Sequence, residues 1–331
     1  MSKSIYIAGN YMSQVGELWD KGLRDLLEES IHQVLLNAEL EPNQVEAVFL
    51  ANKAAGEFNH QLHLNALASG YFDHHPPAMR VEGACASGGM AVLAAKQALL
   101  SGQYQTVLVV GVEKMTDVSA VQATDTLSLA ADQDLEVGST FPGLYALLAR
   151  IHMDQFGTSR EDLSAVSVKN HEQALDNDKA QYHKKFSLDQ VGSSSLVADP
   201  LRLLDCSPIS DGAAALVLTT KKIKGKTKIL GSGHGQDSLS LAQRKRLTEL
   251  QATKRASQQA YQEAGVEPKQ IGAAEVHDCF TIAEILAIED LGFFKKGKGG
   301  KATLKGETRW GGQLVVNPSG GLKAFGHPIG A

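Results

Sequence analysis

Up to about position 112 the chain alternates short apolar runs with segments of helical period. Residues 4–8, 47–51, 78–81 and 106–112 read as strands, the last strongly apolar. Residues 23–40, 61–69 and 86–100 repeat apolar positions every three to four residues and read as helices, the third ending at Gly102. Strands separated by helices predict parallel βαβ units in an α/β sheet. From about 113 to 205 long polar connections take over, with helices near 144–156 and 160–176. This stretch reads as an insertion folding over the sheet, which residues 212–219 (GAAALVLT) rejoin as a strand.

After a lysine-rich joint near 221–228 the pattern starts again. Ala38-Glu-Leu-Glu-Pro42-Asn-Gln-Val45 leads from helix to strand, and Ala264-Gly-Val-Glu-Pro268-Lys-Gln-Ile271 does the same further on. Two copies of one unit account for this, as does chance recurrence of a common helix-turn-strand connection. The first copy continues past its glycine-rich turn at Cys85 with a helix and further strands, whereas the second ends at its own turn, Gly326 to Ala331. If the copies match, roughly 50–60 residues, including a covering helix and two strands, are expected beyond Ala331.

Composition narrows the classes. A formal net charge of −5 gives no basic footprint, so nucleic acid is not expected as a partner. The lysine runs at 221–228 and 295–305 are glycine-interrupted and read as solvated loops. No apolar run reaches the ~20 residues of a membrane span, and the first residues lack the apolar core of a signal peptide, so the cytoplasm is the expected compartment. Three widely spaced cysteines, Cys85, Cys206 and Cys279, argue for reduced thiols rather than a disulfide framework.

Three segments offer chemistry. Val81-Glu-Gly-Ala-Cys85-Ala-Ser-Gly-Gly89 sets a cysteine between strand and helix at a turn of small residues. Backbone N–H groups and the positive helix end favour a thiolate there, and small neighbours admit a thioester; a buried cysteine packing as a small hydrophobe fits the same segment. Glu275-Val-His277-Asp-Cys279-Phe280 ends an apparent strand, where α/β sheets gather ligands. His277 and Cys279, two apart, would share a face if extended, pairing a hydrogen-bond donor with an acid/base thiol; a structural histidine beside a core cysteine explains the segment equally well. No second cluster with metal-ligand spacing accompanies it. Asn317-Pro-Ser-Gly-Gly321, followed by Gly326-His327-Pro328, holds one histidine in a sharply turned loop, where a neutral imidazole can take a thiol proton.

In this order these segments resemble the thiolases over essentially the whole chain. The resemblance rests on ACASGG around Cys85, VGVEKMTD at 110–117, ARIHM at 149–153, SDGAAALVL at 210–218, HDCF at 277–280, NPSGG at 317–321 and GHPIGA at 326–331. HDCF, where many thiolases have NEAF, is similar to the sterol-carrier-protein type. The resemblance implies a five-layer αβαβα fold of two similar α/β halves: residues 1–220 with a loop domain inserted at about 113–205, and residues 221–331 lacking the final helix and strands. It implies that Cys85 is the acylated nucleophile, that His327 activates it and helps bind the thioester oxygen, that His277 contributes to that same oxyanion site, and that Cys279 is the acid/base thiol. His152 and Met153 would lie in the insertion that covers the pantetheine arm; Phe325, where many relatives have a different side chain, and Gly326 are read as bordering the acyl group, with a packing role for Phe325 the alternative.

The implied reaction is ping-pong thiolysis of a 3-ketoacyl-CoA, or the reverse Claisen condensation, with coenzyme A as substrate and no metal or redox cofactor. In relatives a second oxyanion hole uses a CxG loop, which would fall beyond Ala331, so full activity is expected to need such a segment. Implied partners are acyl-CoA, a homodimer or homotetramer, and a small zinc-ribbon/OB-fold protein or a hydroxymethylglutaryl-CoA synthase. A ketoacyl-synthase-type condensing enzyme and a catalytically silent acyl-CoA-binding scaffold are the alternatives.

Overall fold

The computed structural model describes residues 4–331, and these fall into two compact units. The first takes the described residues up to Thr126 together with Ile209–Leu230 and Pro328–Ala331; the second takes Leu127–Pro208 and Gly231–His327.

The first unit is built on a six-stranded sheet in the order Ala78–Val81, Ala47–Ala51, Thr106–Glu113, Gly212–Thr219, Ile5–Met12, Lys228–Ile229. The three strands at one side are parallel, as helical crossovers require. Gly212–Thr219 instead runs antiparallel to both its neighbours, and Lys228–Ile229 is antiparallel to Ile5–Met12, so the sheet is mixed rather than wholly parallel. No single crossover helix leads into Gly212–Thr219. It returns from a long excursion, and nothing in such a connection fixes strand direction.

Side-chain alternation gives the sheet two apolar faces. Val48, Leu50, Leu108, Val110, Ala215 and Val217 pack under the helix Leu23–Ala38, whereas Ala47, Phe49, Val107, Val109 and Leu218 pack against the helix Ser87–Ser101. The first of these helices stops two residues short of the periodicity because Glu39 turns left-handed, with φ 55°. The predicted helix 61–69 is observed as Leu64–Ser69, after a short helix Ala55–Asn59 that the pattern does not announce.

Asp211, at the entry to the Gly212–Thr219 strand, is fully buried and collects five donors. These are Lys114 Nζ at 2.7 Å, Met115 N at 2.6 Å, Thr116 N at 2.9 Å, Thr116 Oγ1 at 2.6 Å and Leu18 N at 3.0 Å. The VGVEKMTD signature is thereby tied to the start of SDGAAALVL. Removing Asp211 leaves Lys114 only Asp117 as a carboxylate partner and takes the acceptor from the Leu18, Met115 and Thr116 N–H groups, so Asp211→Ala is expected to cost about 3–5 kcal/mol. Urea unfolding of the two proteins measures the difference.

In the second unit the helix Thr281–Asp290 is buried at all 10 positions and carries the core. Ile282, Ile285 and Leu286 pack with Leu148 and Ala149 of the helix Phe141–Phe156 and with Leu163 and Val166 of the helix Arg160–Gln173. A short parallel pair, Ala273–Ala274 with Val315–Val316, precedes the two histidine-bearing loops. Among the described residues no helix is long and apolar enough to cross a membrane.

Candidate active site

Cys85 sits in the first unit, in a single 3-10 turn, Ala84–Ala86, between the strand Ala78–Val81 and the helix Ser87–Ser101. Ala84 adopts φ 51°, a left-handed conformation costly for a residue with a side chain. Local hydrogen bonds hold the turn. Glu82 Oε1 accepts from Ala84 N at 2.6 Å, Ser87 Oγ accepts from Gly83 N at 3.0 Å, and the same hydroxyl donates to the Ala84 carbonyl at 2.7 Å.

The thiol is not pre-ionised. Burial, opposed by Lys53 and a backbone hydrogen bond and reinforced by the Glu113 carboxylate, raises it to about 11. The expectation that the turn lowers the thiol pKa is therefore corrected: desolvation of the thiolate outweighs the backbone hydrogen bond and the nearby ammonium. Glu113 is itself buried, accepting from Asn52 Nδ2 at 2.9 Å, Lys53 N at 2.8 Å and Ala54 N at 3.0 Å. Burial lowers the Lys53 amine, partly offset by Cys85 and Glu113. Sequence reading missed both groups. A lysine and a glutamate at the carboxyl ends of two adjacent apolar strands were the available signal.

His277 and His327 belong to the second unit, where their rings meet edge-on with centroids 5.2 Å apart and planes at 74°. Burial lowers His277 to about 4, and burial together with His277 holds His327 well below the usual imidazole range. Both rings are therefore neutral around pH 7. Neutral imidazoles can accept a proton, donate a hydrogen bond, or do each with a different nitrogen.

Cys279, next but one to His277, is buried in an apolar cluster with Phe280 and Ile282, and its carbonyl accepts from Ser207 N at 2.9 Å. Phe280 stacks on Tyr145 with centroids 4.7 Å apart. Phe325 is buried at the end of the short helix Gly321–Phe325, its carbonyl accepting from Gln181 N at 2.8 Å. Gly326 follows at φ 120°, which favours glycine. Met153 is partly buried against the same apolar cluster as Cys279.

His152 departs from the sequence reading. It is fully buried, with Nδ1 2.8 Å from Thr158 Oγ1 and Nε2 3.1 Å from Glu289 Oε2, so its ring is a strut of the second unit with no nitrogen left for a pantetheine arm.

Comparison with known proteins follows the same segments. Residues 5–222 match the family model described as thiolase, N-terminal domain, and residues 233–331 match that described as thiolase C-terminal domain-like. The chain is 44% identical to an acetyl-CoA acetyltransferase of Methanothermobacter thermautotrophicus, over 99% of this chain and 88% of that one. It is 29% identical to sterol carrier protein 2 of Bos taurus, over 93% of this chain and 60% of that one. Among solved structures, one titled Ltp2-ChsH2(DUF35) aldolase superposes with TM-score 0.83 at 24% identity, covering 98% of this chain and 86% of that one.

Proposed function

The chain belongs to the thiolase family, of the sterol-carrier-protein-2-like type, and from that premise we propose that it is an acyltransferase moving an acetyl group between Cys85 and coenzyme A. In the degradative direction the Cys85 sulfur attacks the keto carbon of a 3-ketoacyl-CoA. The Cα–C bond breaks, acetyl-CoA leaves as its enolate and takes a proton from Cys279, and free coenzyme A removes the acyl group from sulfur. The condensing direction is the reverse.

The observation that carries the reading is the edge-on contact of His277 and His327, which unites two separate signature motifs in one pair of neutral rings. Cys85, its thiol raised to about 11, needs a base at the moment of attack, and a neutral His327 supplies one. His277 then donates to the developing oxyanion, a role that needs a neutral N–H rather than a charged ring. Acetoacetyl-CoA is the proposed short substrate, in line with the acetyl-CoA acetyltransferase of Methanothermobacter thermautotrophicus.

The test incubates the chain with acetoacetyl-CoA and coenzyme A, follows acetyl-CoA formation, and looks for an acetyl thioester on the Cys85 peptide by mass spectrometry. Turnover with that adduct is expected; neither product nor adduct would overturn the proposal. For assembly, the proposal extends to a homo-oligomer or a complex with a small second protein, the latter prompted by the two-component Ltp2-ChsH2(DUF35) aldolase that the fold resembles.

A further inference from the structure

We infer that Asp278 is a positioning residue for the His277–His327 pair, acting with Asn170, Glu284 and Asn317 as one buried tie between the loops that carry the two rings. This rests on the acyl-transfer reading above.

The two rings lie on loops distant in sequence, so their meeting must be enforced by something between them. Asp278, next to His277, reaches across with both oxygens. Oδ1 accepts from Leu322 N at 2.7 Å and Oδ2 from Lys323 N at 3.3 Å, holding the first turn of the short helix Gly321–Phe325 that leads to His327. In the other direction, Asn317 Oδ1 accepts at 2.7 Å from Val276 N, the residue before His277. Asn170 Nδ2 donates to Asp278 Oδ2 at 2.6 Å and to Glu284 Oε2 at 2.8 Å, and Asn317 Nδ2 donates to that same Glu284 oxygen at 2.8 Å. Lys169 Nζ stands 2.8 Å from Glu284 Oε1. Asp278, Glu284, Asn170 and Asn317 have no exposed surface.

Close packing leaves the tie no slack. A Cβ on Gly321, at φ 61°, would lie 2.3 Å from Asp278 Oδ2. Two buried carboxylates sharing one lysine make a poor device for stability, since apolar side chains would fill the volume at lower cost. They make a good device for register, because both Asp278 oxygens and Glu284 Oε2 have fixed hydrogen-bond donors.

Protonation state separates positioning from packing. The groups facing the Asp278 carboxylate are Glu284 from Thr281–Asp290, Lys169 from Arg160–Gln173, and Lys323 with its own and the Leu322 N–H from Gly321–Phe325. Burial, then Glu284, raises the Asp278 carboxyl, and the two N–H donors and Lys169 pull it back. Three donors aimed at this carboxylate describe its ionised form, so proton uptake removes an acceptor and frees the start of the short helix. Because the folded pKa lies above the unfolded one, Asp278 contributes most to stability at acid pH, and that contribution falls as pH rises through the folded pKa. The positioning of His327 needs the ionised form and follows the opposite direction.

The experiment compares the full chain with Asp278→Asn and Asn170→Ala in thiolysis of acetoacetyl-CoA by coenzyme A. Rates are taken per acetylatable Cys85, from about pH 5.5 to about pH 9, alongside urea unfolding. Asp278→Asn is expected to lower kcat by about 100-fold, as a misplacement near 1 Å does, with KM little changed and the acid limb of kcat lost. Asn170→Ala, which keeps both carboxylates, is expected to lower kcat by about 10-fold and move that limb; it decides on its own if the first variant does not fold. A folded variant with wild-type kcat and an unmoved limb overturns the tie. NMR contacts between the ring protons of His277 and His327 give a readout free of turnover: they are expected in the parent and lost in the variants, and their persistence in the variants overturns the inference even where no acyl group is transferred.

Discussion

Cys85→Ala is expected to remove the acetyl adduct and to lower thiolysis of acetoacetyl-CoA by about 10⁴–10⁶-fold, the range for deleting a covalent nucleophile. The effect on folding should be small. The substitution removes one sulfur atom from a turn whose hydrogen bonds run through Glu82, Gly83, Ala84 and Ser87, and such a small deletion costs about 1 kcal/mol. Urea unfolding of the variant should therefore track the parent while activity and the labelled peptide disappear together. Residual turnover above about 1% of the parent would mean that the acyl group travels by another route. Because the Cys85 thiol is raised to about 11, iodoacetamide alkylation of the unliganded protein should be slow at neutral pH and accelerate as pH rises toward that value. Fast alkylation near pH 7 would show that the protein has paid for a standing thiolate after all.

His327→Ala is expected to lower kcat/KM by about 10³–10⁴-fold, combining loss of the base with loss of an oxyanion donor. His277→Ala should cost about 10²–10³-fold, the loss of a donor alone. The distinction shows in the first half-reaction. Acetylation of Cys85 by acetyl-CoA, followed by mass spectrometry, should fail with His327→Ala and proceed slowly with His277→Ala; equal losses would contradict the division of roles. Both rings are held neutral, His277 down to about 4. A histidine with a folded pKa below its unfolded value contributes stability that is complete above about pH 6.5 and is lost as pH falls through the folded pKa. His277 therefore predicts acid lability setting in between about pH 6.5 and about pH 4, and His277→Ala should flatten that part of the stability profile.

The strands on either side of Cys85 were legible because apolar runs bounded by glycine and polar turns have few other readings. The family was legible because HDCF, NPSGG and GHPIGA stand in order. Strand direction at Gly212–Thr219 was not legible, since a segment returning after a long connection can enter a sheet either way. The state of Cys85 was misread because a turn's dipole can be read from sequence, whereas the burial that outweighs it is a property of the folded chain. His152 was misplaced because a motif position says nothing about depth, and Thr158 with Glu289 engages both its nitrogens. Glu284 and Asn170 went unnoticed although Thr281–Asp290 carried a signal: a glutamate inside the apolar run Ile282 to Ile288 is expensive to bury unless it is bonded to something.

The position of Ile5–Met12 in the sheet bears on how the chain is made. This strand pairs with Gly212–Thr219 and Lys228–Ile229, so its partners leave the ribosome long after it does. At typical synthesis rates roughly 10–40 s separate the two ends of the pairing. During that interval the strand Thr106–Glu113 also lacks its neighbour on that side, and a nascent chain exposes two adhesive apolar ribbons at once. Slower elongation through the middle of the message would lengthen the exposure.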